Sequence, residues 1–101
     1  MRKVILESGA RLDIRSICQF YDERSQTAGD RFIDELEALV ESILGAPERY
    51  PCVGKQSKYR KANLKVFPYQ VVYRVTPSQI RIVIVKHDKR HPEVGTDRLE
   101  E

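Results

Sequence analysis

The spacing of apolar positions changes its period twice along the chain. Residues 2–7 alternate weakly, with Val4 and Leu6 on one side, which predicts a short strand. Ala10, Ile14, Ile17, Cys18 and Tyr21 then recur at helical spacing, while Arg11, Asp13, Arg15, Asp22 and Arg24 fall off that stripe. This predicts an amphipathic helix over 9–24, with Ser8 as its N-cap. Phe32, Leu36, Leu39, Val40 and Ile43 make a second stripe, with Asp34, Glu35, Glu37 and Glu41 on the opposite side. The second helix is expected over 28–44, opened by Thr27 with Asp30 as a weak capping box. Gly45 supplies a left-handed stop and Pro47 prevents continuation. The short link predicts an antiparallel helical hairpin.

Residues 46–58 carry two prolines and a glycine without periodicity and read as a loop. The period then becomes two. Ala62, Leu64 and Val66 alternate with Lys61, Asn63 and Lys65, a half-buried strand over 59–66 with a basic outer row. Phe67-Pro68 marks a turn or bulge, because proline cannot donate to a ladder. Strands follow over 69–75 and 80–87, the second apolar on both parities, as expected of a strand covered on two sides. Residues 92–101 form a polar tail. The order β-α-α-β-β-β predicts an α+β fold, one domain over 1–101, with the helical hairpin on one face of a small, mainly antiparallel twisted sheet. The other face is left open to a partner.

Composition adds little until charge is read by segment. The chain has 101 residues, 41% hydrophobic and 33% charged, as for an ordinary globular domain. Its net +3 divides into +1 over 1–24, −4 over 25–54, +9 over 55–91 and −3 over 92–101. The +9 segment suggests a footprint for nucleic acid, an acidic groove or an acidic peptide. No apolar run approaches bilayer length, and the opening apolar run is too short for a signal peptide, so a cytoplasmic protein is expected. Cys18 and Cys52 lack CxxC spacing and read as free thiols. His87 and His91 stand four apart beside Asp88, but in a loop containing Pro92 and with no third ligand, so neither a metal nor a cofactor is expected.

A block of residues ties the order of elements to a family. Arg60 and six intervening residues lead to Phe67-Pro68-Tyr69, then Val71, Val72, Tyr73, Arg74 and Val75, with His87, Arg90 and Pro92 downstream. In this pattern the chain resembles the RelE/ParE superfamily of type II toxin–antitoxin toxins, the plasmid stabilisation proteins, over nearly its whole length. The resemblance implies a cognate antitoxin partner in a hetero-oligomer. It also implies growth inhibition, either by poisoning DNA gyrase (ParE-like) or by cutting ribosome-bound mRNA (RelE-like).

Cleaving RNA requires a base for the 2′-OH, fixed cations for the phosphorane and an acid for the leaving oxygen. RelE-like enzymes resemble one another in an arginine just after the Gly-Tyr or Asp-Tyr opening the middle strand, and often a C-terminal tyrosine or histidine. Gln70 and Gly95 stand at those places here. His87, Lys89, Arg90 and His91 are the candidates for a substitute catalytic set, since imidazole suits acid and base roles near neutrality. His87 reads equally well as a residue holding the turn after its strand. The expectation leans to the ParE-like branch, binding without catalysis, with the nuclease and an inactive autoregulatory relative as alternatives. Arg60, Lys61, Lys65, Arg74, Lys89 and Arg90 are the candidates for binding a target or phosphate, the arginines through their planar fork.

Overall fold

A computed structural model describes residues 2–54 and 58–89. The order is β1 (Lys3–Leu6), α1 (Ser8–Asp22), α2 (Ala28–Gly45), β2 (Tyr59–Asn63), β3 (Tyr69–Val75) and β4 (Gln79–His87). The strands lie in the order β1-β4-β3-β2, with β1 parallel to β4 and the other two pairs antiparallel. The expected α+β architecture of a helical hairpin on a mainly antiparallel sheet is therefore the one observed.

The helices form where the apolar stripes place them, and both bury those stripes against one sheet face. Ala10 and Ile17 of α1, and Phe32, Leu36 and Ile43 of α2, join Ala62, Val71, Tyr73, Ile80, Ile82 and Val85 in the main core. Each Ile, Leu, Val or Phe side chain among them contributes about 1.5–3 kcal/mol on leaving water. Tyr21 and Phe32 meet the sheet through Phe67, with ring centroids 5.1 and 5.7 Å away.

The helix ends differ from expectation. Glu7, not Ser8, is the N-cap of α1, without a side-chain cap. Thr27 does precede α2 but makes no capping bond. Instead the Ser25 hydroxyl accepts the backbone N–H groups of Thr27 and Ala28, both at 3.2 Å. Gly45 is the last helical residue and not a left-handed stop; Ala46, at φ −155°, ends the helix before Pro47.

β2 stops at Asn63, three residues short of the expected 66. The cause is Glu35 on α2. Its carboxylate accepts the backbone N–H groups of Lys65, Val66 (3.1 Å) and Phe67 (3.2 Å), turning those donors toward the helix and away from β3. Burial pushes the Glu35 carboxyl upward, but these donors and the charge of Lys65 outweigh it and hold it below its ordinary range.

β4 has an irregularity that its apolar run conceals. Tyr73 pairs with Ile82 but Val72 pairs with Ile84, so Val83 is an extra residue in a β-bulge. Ile80, Ile82 and Val85 face the helices, whereas Val83 and Ile84 join Tyr59 and Val72 in a second cluster on the far face. Two-sided coverage is thus correct, and the bulge makes the buried run continuous. β1 leaves the sheet at the bulge, its last bond running from the Glu7 N–H to the Ile82 carbonyl (3.0 Å). Beyond it the Val85 N–H donates to the Asp13 carboxylate of α1 at 3.0 Å. Cys18 and Cys52 are free thiols, Cys18 half-buried and Cys52 exposed.

Candidate functional site

The far face of the sheet gathers the cations. Its floor is Tyr59, Val72, Val83 and Ile84, packed under Val53 from the loop before β2, so this face is less open than the alternation alone implied. Strand alternation puts Lys61 beside Tyr59, Arg74 beside Val72 and Lys86 beside Ile84, all on this side. The Lys58 ammonium stands 5.9 Å from the Tyr59 ring centroid. No acidic residue occurs in any of the four strands. Arg81, directly opposite Arg74 in register, is held by the Glu7 carboxylate at 2.8 Å and the Gln79 side-chain oxygen at 2.7 Å. Lys86 lies below the ordinary lysine range, first because it is partly buried and second because Lys61 is near.

Arg60 has a different position from Lys61 and Arg74. It lies at the helix-side edge, where its guanidinium donates to the carbonyls of Glu48 (3.1 Å) and Tyr50 (2.6 Å). Beside it the Tyr73 hydroxyl donates to the Pro47 carbonyl at 2.6 Å. Burial raises the Tyr73 phenol to about 12, against the opposing pull of Arg60. Together they fasten the segment after α2 to the sheet. Lys65 stands in the turn after β2, exposed and off the strand row.

At the far end of β4, His87 faces Tyr69 across the sheet, with ring centroids 5.5 Å apart. Its Nδ1 accepts the Lys89 backbone N–H at 3.1 Å, and the Asp88 carboxylate lies 3.8 Å from the same nitrogen. These contacts hold the turn after the strand. Arg90, His91 and Gly95 lie outside the described residues. Gln70, where a RelE-like enzyme would carry arginine, donates through Nε2 to the Asn63 side-chain oxygen at 3.1 Å, closing a neutral amide pair. Among the described residues no three His, Cys, Asp or Glu side chains come together as a metal site would require.

The structure therefore brings Lys61 and Arg74 together with Lys58, Arg81 and Lys86, and separates them from Arg60, Lys65, His87 and Lys89. Lys58, Arg81 and Lys86 did not stand out in the sequence. For Arg81 the signal was strand parity; for Lys86 the bulge had scrambled it, and Lys58 lies ahead of β2 with the parity of Arg60.

A family model described as "ParE toxin of type II toxin-antitoxin system, parDE" matches residues 4–92. The chain belongs to the ParE toxin family. Among solved structures, a chain titled "Chromosomal ParDE TA system from P. aeruginosa" matches at TM-score 0.63 and 16% identity, covering 86% of this chain and 96% of that one. At that identity the likeness is one of fold. Comparison with curated sequences gives no match. In this ParE family member the basic sheet face and the His87 turn both fall inside the matched span.

Proposed function

We propose that this toxin arrests growth by binding DNA gyrase without catalysing a reaction of its own, and that a cognate antitoxin neutralises it in a cytoplasmic hetero-oligomer. The family membership supports a type II toxin. The observation that carries the choice of branch is the amide pair of Gln70 and Asn63. A neutral amide bonded to its cross-strand neighbour offers no charge to a phosphorane, where a nuclease needs a fixed cation. His87 Nδ1 already accepts a bond from the turn that follows it. The solved structure that shares this fold is described as a chromosomal ParDE TA system, which supports an antitoxin partner here.

The test is controlled expression of the chain, alone and with the antitoxin encoded beside it. Growth arrest relieved by the antitoxin, with purified protein inhibiting gyrase supercoiling, is the expected result. Unchanged supercoiling together with new messenger ends that disappear in His87→Ala would establish the nuclease reading instead. No growth arrest at all would leave an inactive autoregulatory relative.

A further inference from the structure

We propose that the free edge of β1 pairs with the same edge of a second copy of this chain, antiparallel across a two-fold axis at Ile5. β1 is an outer strand of the sheet. The N–H groups of Lys3 and Glu7 donate to the carbonyls of Ser78 and Ile82, both at 3.0 Å. Backbone alternation then turns the N–H and C=O groups of Val4 and Leu6 away from β4. Arg11 Nε donates to the Leu6 carbonyl at 3.1 Å, and that oxygen keeps a second lone pair.

Other stretches of the sheet margin are covered. Along β2, the Val53 N–H donates to the Tyr59 carbonyl (2.8 Å) and the Lys61 N–H to the Pro51 carbonyl (3.0 Å). Past the end of β1 the Val85 N–H goes to Asp13, and past the end of β2 the turn N–H groups go to Glu35. Edge strands are commonly blunted by a charge, a proline or a bulge. Val4-Ile5-Leu6 contains no charge and no proline, pairs in regular register, and has all three side chains only partly buried.

The edge is complementary to itself. An antiparallel copy centred on Ile5 sets Lys3 opposite Glu7, Val4 opposite Leu6 and Ile5 opposite Ile5. Val4 and Leu6 then form hydrogen-bonded pairs, and Ile5 a non-hydrogen-bonded pair whose side chains meet. Both Lys3–Glu7 pairs unite opposite charges. Lys3 is exposed, and Glu7 meets Arg81 through Oε2 at 2.8 Å, so its Oε1 can take the Lys3 ammonium of the second copy. Shifting the register by two residues, the next that pairs the outward groups, sets Lys3 or Glu7 opposite Ile5 and loses both charge pairs. The two-fold axis stands perpendicular to the sheet. Both helical hairpins therefore stay on one side, and two four-stranded sheets join into one.

This dimer lies outside the gyrase reading, and its test contains neither gyrase nor antitoxin, so either can fail alone. So short a strand buries less than a standard interface, and a dissociation constant on the order of 10 µM is expected. Sedimentation of the purified full chain should therefore pass from monomer to dimer between about 1 µM and about 500 µM, a range that brackets it. Val4→Pro removes an N–H that points away from β4, so it should spare the ladder within the chain and weaken the dimer roughly tenfold. Lys3→Glu sets two carboxylates opposite each other in both pairs and should also weaken it roughly tenfold, whereas Lys3→Arg should keep it. Thermal melting of each variant separates lost pairing from lost folding. The register has its own reading, in a Cys52→Ser background that removes the exposed thiol. Ile5→Cys should cross-link to its copy under mild oxidation, because Cα atoms of a non-hydrogen-bonded pair lie about 4.5 Å apart, within disulfide reach. Lys3→Cys should not cross-link. A monomer throughout the concentration range, a dimer that the folded Val4→Pro and Lys3→Glu variants leave unweakened, or Lys3→Cys cross-linking as readily as Ile5→Cys would overturn the proposal.

Discussion

The backbone N–H of Phe67 donates to the carboxylate of Glu35 at 3.2 Å, across 32 residues of chain. With the neighbouring N–H groups of Lys65 and Val66 on the same carboxylate, one side chain of α2 shapes the whole turn into β3. Glu35→Ala should lower stability by about 1–2 kcal/mol, read as a shift in the urea midpoint, because it leaves three donors to water and removes charge-assisted bonds. The folded carboxyl lies below its ordinary range, so its contribution is present above the unfolded value of about 4.3 and is lost as pH falls through the folded value. The difference between wild type and Glu35→Ala should narrow between about pH 6 and pH 3, a range spanning that reference value. A difference constant over that range would contradict the assignment.

Asp13→Ala tests the second helix-to-sheet bond. It removes the acceptor of the Val85 N–H beside the bulge, in a partly buried setting. A loss of about 1–3 kcal/mol is expected, with Asp13→Asn closer to wild type because an amide oxygen remains. Hydrogen exchange at the Val85 amide gives the local reading. Faster exchange there than at Ile82 in the variant is the expected pattern.

Tyr73→Phe keeps the buried ring and deletes the hydroxyl that binds the Pro47 carbonyl. The cost should be about 1 kcal/mol. Ultraviolet titration should lose a tyrosine that ionises at about 12. The folded phenol is raised above its unfolded value of about 10, so stability falls as pH rises between those two values. The variant should lack that alkaline loss, and identical alkaline unfolding of both proteins would count against it.

Lys86→Gln should hold or raise the melting temperature, by up to about 4 °C for a domain of this size. The folded ammonium is disfavoured by partial burial and by Lys61. The wild type should therefore gain stability as pH rises through the folded lysine value, and the variant should show no such gain. A clear drop in melting temperature would show that Lys86 supports the sheet.

The sequence shows the helices most clearly because their apolar stripes are long and local, and it places β3 at its observed bounds. It overextends β2, since nothing between Tyr59 and Val66 discloses a carboxylate arriving from α2. It mistakes the manner in which α2 starts and stops, where Ser25 and Ala46 act in place of Thr27 and Gly45. On the basic face Lys61 and Arg74 are legible by simple alternation within regular strands. Lys86 is not, because Val83 shifts the count ahead of it. The partners of Arg60 are backbone carbonyls ten and twelve residues away, and no side-chain pattern announces a carbonyl.

Asp13 and Glu35 share a consequence that neither shows alone. Each places a helix carboxylate on strand or turn N–H groups that no neighbouring strand takes: Val85 beyond the end of β1, and Lys65 to Phe67 beyond the end of β2. Such donors are what a foreign strand would otherwise pair with. The two acids are edge guards, and they turn the limits of a small sheet into places where a second chain finds no template.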